Sequence, residues 1–317
     1  MKIAILDDYQ DSVRHLDCFS LLDGHEVKVF TNRARGLIQQ ALRLADFEVL
    51  VLNRERTPIT AALLQRLPKL KLIAQTGRIG AHIDLEAARA CGVAVAEGKG
   101  DPTAPAELTW ALILAAMRKL PQYAAHLREG HWQVASVNPE LNTLGRSLKG
   151  RTLGIWSYGR IGRLVAGYGR AFGMRVLVWG SDASRDAARQ AGLEAAPSKE
   201  ALFEAADVLS LHLRLTEATR AIVGPADLAR MRPDALFVNT SRAELVESGA
   251  LEQALRRGRP GFAAIDVFER EPPAPDEPLL KIPTVLATPH IGYVERDSYE
   301  MYYEAAFRNV VAFAEGA

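Results

Sequence analysis

Cysteine is scarce in this chain: there are two, Cys18 and Cys91, neither in a CxxC pair nor beside a histidine at metal-ligand spacing. That usage argues against a disulfide scaffold and against a zinc site, and it leaves buried free thiols as the expected state. An excess of either charge is also missing. Lysine plus arginine number 39 against 38 acidic residues, a net charge of +1, so nothing electrostatic favours nucleic acid or an anionic membrane as a partner. Long apolar runs are absent too. The opening segment, Met1-Lys2-Ile3-Ala4-Ile5-Leu6, meets two carboxylates at Asp7 and Asp8, too early for a signal-peptide core, and no later stretch reaches the roughly 18 uncharged apolar residues of a membrane span. The expectation is a cytoplasmic protein with no metal, no membrane association and no nucleic-acid partner.

The residues that are present describe a globular chain. With 317 residues, 48% of them hydrophobic and 24% charged, a sizeable core can be buried and two domains are favoured over one. Short aliphatic runs at Lys2–Leu6, Val27–Phe30, Val49–Leu52, Leu70–Ala74 and Val93–Val95 alternate with helical stretches, the pattern of a parallel sheet covered by helices. A long apolar-rich helix is expected from Thr103 to Leu120, with Pro105 in its first turn. The rhythm then restarts with Thr152–Trp156, Arg175–Trp179, Val208–His212, Ala235–Asn239, Gly261–Ile265 and Thr284–Ala287. Two doubly wound α/β domains follow. The last stretch, Glu295 to Ala314, carries Tyr299, Tyr302, Tyr303, Phe307 and Val310 at helical spacing and needs a surface to cover, so it is expected to return to the first domain. The predicted division is 1–100 plus 291–317 for a discontinuous, flavodoxin-like domain and 101–290 for a Rossmann-like one.

The second unit opens with a strand, then Ser157-Tyr158-Gly159-Arg160-Ile161-Gly162, then a helix with Ile161, Leu164, Val165, Tyr168 and Phe172 on its apolar face. In that setting Gly159 lets the backbone approach a pyrophosphate, Gly162 lets helix and strand pack closely, and the helix N-terminus offers N–H groups to the phosphates. Ser157 stands where G-x-G-x-x-G has its first glycine, and a Gly-x-x-Gly by itself also fits a purely structural turn. About twenty residues on, where an acid usually meets the ribose hydroxyls of NAD, the chain reads Trp179-Gly180-Ser181-Asp182. Asp182 suits a ribose and repels a 2′-phosphate, whereas Ser181, Arg185 and Arg214 suit the phosphate. A plain helix-leading turn fits Ser181–Ser184 equally well. NAD is the cofactor favoured, with NADP left open.

Three further segments, Asn239-Thr240-Ser241-Arg242, Asp266-Val267-Phe268-Glu269-Arg270-Glu271-Pro272 and Thr288-Pro289-His290-Ile291-Gly292, make the chain similar to the D-isomer-specific 2-hydroxyacid dehydrogenases. The resemblance runs end to end, taking in Arg78–Asp84 and Thr103–Glu107. It implies hydride transfer between nicotinamide and the 2-position of a small D-2-hydroxy or 2-keto acid. It also implies that Arg242 binds the substrate carboxylate, that His290 handles the proton, that Glu271 orients His290, and that Asp266 faces the nicotinamide end. Thr103 and Thr240 join the turn residues and Ser181 as cofactor contacts, and Arg78, Ile79 and Gly80 form the substrate loop.

Elementary chemistry agrees with these roles. Keto-acid reduction needs a proton for the oxygen, and only histidine titrates near neutral pH unaided. A neighbouring carboxylate favours imidazolium and fixes the tautomer. The arginine fork matches a carboxylate bidentately. Arg78 departs from the family pattern and suits a second anionic group, as in a dicarboxylate or phosphorylated acid, although a surface arginine without a role fits as well. Arg54 and Arg56 have weaker claims. Tyr293 either narrows the pocket or packs at a helix start. A non-catalytic NAD-sensing or corepressor-like protein on the same scaffold is the rival function, and dimerisation through the cofactor domain is expected from the apolar surface of Thr103–Leu120 with Tyr123, Leu127 and Trp132.

Overall fold

The computed structural model describes residues 1–316 and divides into two compact units, Met1–Asp101 with the segment that begins at Tyr293, and Pro102–Gly292. Each is built on a sheet whose ladders are all parallel.

In the first unit the strands are β1 (Lys2–Ile5), β2 (Glu26–Val29), β3 (Val49–Leu52), β4 (Leu72–Gln75) and β5 (Ala94–Ala96), in the order β2-β1-β3-β4-β5. That is the flavodoxin-like order, with its switch point between β1 and β3. Strands β3 and β4 are buried at every position, because helices cover both faces. One of those helices is Arg296–Ala314, whose Tyr299, Tyr302, Tyr303, Phe307 and Val310 pack with Ile3, Ile5, Val49 and Ala74. Its N-cap is Glu295, which accepts from Asp297 N (2.8 Å) and Ser298 N (2.6 Å). The first domain is therefore discontinuous, as the aromatic spacing of the last segment predicts.

In the second unit the strands are β6 (Thr152–Trp156), β7 (Arg175–Trp179), β8 (Glu194–Ala195), β9 (Val208–Leu211), β10 (Leu236–Asn239), β11 (Phe262–Ile265) and β12 (Val285–Ala287). Their order, β8-β7-β6-β9-β10-β11-β12, is that of a dinucleotide-binding sheet with one strand added, and the order reverses between β6 and β9.

The helix expected from Thr103 to Leu120 ends two residues early and is followed by another. It runs Thr103–Arg118, turns through Lys119 in the left-handed region (φ +54°), and restarts as Leu120–Arg128. Pro121 is the cause: it has no N–H to return to the Met117 carbonyl, which accepts from Arg146 N instead (2.8 Å). Lys119 then reaches Leu141 O (3.1 Å) and Thr143 Oγ1 (2.6 Å), tying the break to the following loop. Among the described residues no helix is long and apolar enough to cross a membrane.

Candidate active site

The C-terminal ends of β6 and β7 build a turn with room for phosphate. Ser157 adopts φ +81°, a conformation that favours glycine, and its N–H donates to Trp179 O (2.8 Å). Gly159 caps the helix Arg160–Ala171 without a side chain, and a Cβ there would meet nothing closer than Ser157 Oγ at 3.9 Å. The cap thus adds no side chain at the start of this helix. Gly162 is different: a Cβ would overlap the Ser157 carbonyl and press on Ile155 at 3.3 Å, so only glycine lets this helix lie on its strand.

Beyond β7, Ser181 caps the helix Asp182–Gln190 by accepting from Ser184 N (3.3 Å), and Ser184 Oγ accepts from Tyr158 N (2.7 Å). The second loop is thereby fastened to the first.

Three other strand ends of the same sheet carry the remaining residues. After β10, Asn239 shapes the loop by donating to Arg242 O (2.8 Å) and accepting from Ser241 N (3.1 Å), and the Arg242 guanidinium donates to Ser241 O (2.7 Å). Thr240 Oγ1 lies 2.7 Å from Thr109 Oγ1, whose own hydroxyl donates to Pro105 O at 2.7 Å, so Thr240 is the donor of that pair. Thr103 is exposed in the first turn of the same helix as Thr109.

After β11 and β12 come Asp266, Glu271 and His290. His290 Nδ1 lies 2.6 Å from Glu271 Oε2, and Glu271 Oε1 accepts from Phe268 N at 3.0 Å. Both oxygens of the carboxylate are engaged, so the imidazole is held in one orientation through Nδ1. Burial pushes the Glu271 carboxyl up, but the hydrogen bond and charge of His290, the Phe268 N–H and the Arg242 guanidinium outweigh it and hold it below the ordinary carboxylate value.

Asp266 is fully buried. Its Oδ1 accepts from Thr288 Oγ1 (2.6 Å) and Ile291 N (2.9 Å), and its Oδ2 accepts from Gly292 N (2.9 Å). These bonds pin the turn on which His290 sits at φ +53°. Burial raises the Asp266 carboxyl, opposed by those donors and by the charge of His290. Sequence reasoning places Asp266 in the site, while its grip on the His290 turn becomes visible only in the fold.

In the first unit, Arg78 is exposed on the loop after β4, Ile79 N donates to Glu97 Oε2 (3.3 Å), and a Cβ on Gly80 would lie 3.0 Å from Glu55 Oε1. A carboxylate oxygen therefore already sits on one of the N–H groups assigned to a substrate carboxylate. Arg54 lies two residues beyond β3. It adopts φ +56°, and its guanidinium packs so closely on Gly77 that a Cβ there would overlap it. The rings of Tyr293 and Tyr302 lie 5.4 and 5.1 Å away, and among the described residues no carboxylate pairs with it. Arg56 stacks on Tyr9 and Tyr293 and donates to Asp7 O (2.8 Å). Tyr293 is buried and stacked on Tyr299, a packed aromatic at the start of the last helix. The only sequence signal for Arg54 is its place directly beyond a fully apolar strand.

Comparison with known proteins agrees with this geometry. Residues 110–292 match the family model for the D-isomer specific 2-hydroxyacid dehydrogenase, NAD binding domain. A glyoxylate reductase of Aeropyrum pernix is 40% identical over 260 residues, which cover 81% of this chain and 77% of that protein. A D-3-phosphoglycerate dehydrogenase of Methanocaldococcus jannaschii is 36% identical over 296 residues, 92% of this chain and 53% of that one. Among solved structures, a phosphoglycerate oxidoreductase of Vibrio cholerae superposes with a TM-score of 0.97 at 56% identity, covering 100% of both chains. A D-lactate dehydrogenase of Aquifex aeolicus, solved with NAD and lactic acid, gives 0.78 at 28% identity over 99% of this chain and 96% of that one. With its dinucleotide-type sheet, its two-glycine turn and a match across most of its length, the chain belongs to the D-isomer-specific 2-hydroxyacid dehydrogenases, NAD-dependent oxidoreductases that move a hydride between nicotinamide and the 2-position of a small hydroxy or keto acid.

Proposed function

We propose that this enzyme works chiefly as a 2-keto-acid reductase in which Arg242 binds the substrate carboxylate, His290 protonates the keto oxygen and Glu271 holds His290 in place. The observation that carries this reading is the 2.6 Å contact between His290 Nδ1 and Glu271 Oε2, on a turn anchored by a buried carboxylate. Bound nicotinamide supplies the hydride. The protein's part is to fix the acid with a planar cation, present Nε2 to the developing alkoxide and keep the imidazolium beside a carboxylate. Ser157 to Gly162, Ser181, Thr240 and Thr103 are proposed as cofactor contacts. Asp266, through its hold on the His290 turn, is proposed as a positioning residue at the nicotinamide end.

On the substrate side, Arg78, Ile79 and Gly80 are proposed as contacts. Arg54 is added because its guanidinium is held by rings instead of a carboxylate. A cation in that state suits a second anionic group, so a dicarboxylate or phosphorylated keto acid is proposed over glyoxylate. The experiment follows the absorbance of reduced nicotinamide with glyoxylate, hydroxypyruvate, phosphohydroxypyruvate and a dicarboxylic keto acid, with His290→Ala beside the wild type. Turnover that collapses in the variant supports the reading. Unchanged turnover in His290→Ala removes it.

A homodimer formed through the second unit is also proposed, supported by the exposed Leu120, Leu127, Trp132, Val137 and Leu144, all within one stretch of 25 residues. Sedimentation of the wild type beside a Leu127→Glu, Trp132→Ala double variant tests it, and a monomeric wild type would end it. A cytoplasmic setting fits the two unpaired cysteines, and cell fractionation checks it.

A further inference from the structure

The residue that would select NAD over NADP is missing from its usual place, and the fold explains why no acid can be put there. Gly180 follows β7 directly, 21 positions after Gly159, with φ +154°, where side chains are rarely found. A Cβ at Gly180 would lie 3.0 Å from Ser184 Oγ and 3.1 Å from Ser184 Cβ. Ser184 cannot move aside without cost, since its hydroxyl accepts from Tyr158 N in the phosphate-side turn. An aspartate at 180 would therefore be strained and would break the link between the two loops.

What stands nearby is a cation. The Arg185 guanidinium lies over the Trp179 ring, 4.5 Å from its centroid, and pairs with Asp182. The two partners differ in burial: the Arg185 side chain is 22% exposed and that of Asp182 87%. The arginine is thus fixed flat on an indole at the end of β7, while the carboxylate that pairs with it projects into water and can be exchanged for another anion at little cost. Ser181 adds a hydroxyl at the N-cap between them. A doubly wound sheet presents the adenosine ribose at this strand end, and there an arginine accommodates a 2′-phosphate as an acid accommodates a 2′-hydroxyl.

We infer that this loop admits the 2′-phosphate of NADP(H), with Arg185 as its charge partner, Ser181 as a hydrogen-bond partner and Asp182 as the anion it displaces. The enzyme then uses both nucleotides and is not restricted to NAD. This rests on the Ser157–Gly162 turn being the nucleotide site.

The test is direct binding, independent of turnover: calorimetric titration of the full chain with NADH and NADPH. In the wild type the NADPH Kd is expected within about threefold of the NADH Kd or below it. Arg185→Ala should raise the ratio of the NADPH Kd to the NADH Kd by about tenfold or more, since a charge-assisted partner of the phosphate is lost, with NADH affinity nearly unchanged. Asp182→Asn should move the ratio the opposite way by removing the competing carboxylate. A wild type that binds NADPH more than tenfold weaker than NADH overturns the inference, as does an Arg185→Ala ratio within twofold of the wild type. Failure to bind either nucleotide would instead overturn the reading of the turn, so the two failures are distinguishable.

Discussion

The two sheets end in the same way and hold opposite kinds of chemistry at those ends. Both are parallel, both reverse strand order at a switch point, and both expose the C-terminal ends of their strands. At that edge the second unit places a glycine-capped helix start and a histidine locked to a carboxylate. The first unit places two arginines against tyrosine rings. Oriented N–H groups and a proton-handling pair suit a cofactor and a reaction, whereas cations held by rings suit recognition of charge. The topology locates a place for a ligand, and the side chains at the strand ends decide what is done there.

The sharpest way to break this comparison is His290→Ala. Its kcat for keto-acid reduction should fall about 10³-fold while NADH binding stays within about twofold, as the role proposed for the histidine, serving the proton and not the nucleotide, requires. An equal loss of both in titration and turnover would assign His290 to the cofactor instead. Arg242→Lys comes next, with kcat/KM lowered about 10²-fold, since an ammonium cannot reproduce the bidentate fork. Steady-state kinetics on a monocarboxylic acid measures it.

Arg54→Ala sharpens the first unit's side of the contrast. It should lower kcat/KM about tenfold for acids with a second anionic group and leave glyoxylate within about twofold. Equal effects on both would make Arg54 a packing residue.

The smallest effect concerns pH. The Glu271 carboxyl is held below its ordinary value of 4.5, so the pair stabilises the fold above that pH and loses this contribution as pH falls through the lowered value. Wild type should therefore keep a Tm advantage of about 2 °C over Glu271→Gln at neutral pH and lose it only below about pH 4.5, as followed by thermal melts. A difference that vanished near pH 6 would refute the assigned direction.

Much of the second unit is legible in sequence because its cues are local. The apolar runs from Thr152 to Ala287 mark its strands, and the spacing of Gly159 and Gly162 marks the turn. The helix Leu120–Arg128 lies almost wholly beyond the span read as helical, since none of its residues is buried and it carries no strong apolar pattern. The surroundings of Arg54 could not be read along the chain, since its neighbours Gly77, Tyr293 and Tyr302 are brought to it by segments far apart in sequence.

What the sequence determined by itself is therefore the class of fold and the family, since strand periodicity, a glycine pair after a strand and the order of the later segments are readable along the chain. Only the tertiary structure decided that Asp266 anchors the His290 turn, that Arg54 is held by rings, and that Gly180 excludes an acid where Arg185 lies on Trp179. Those outcomes depend on distances between segments far apart in sequence and on the burial of particular atoms, which packing alone sets.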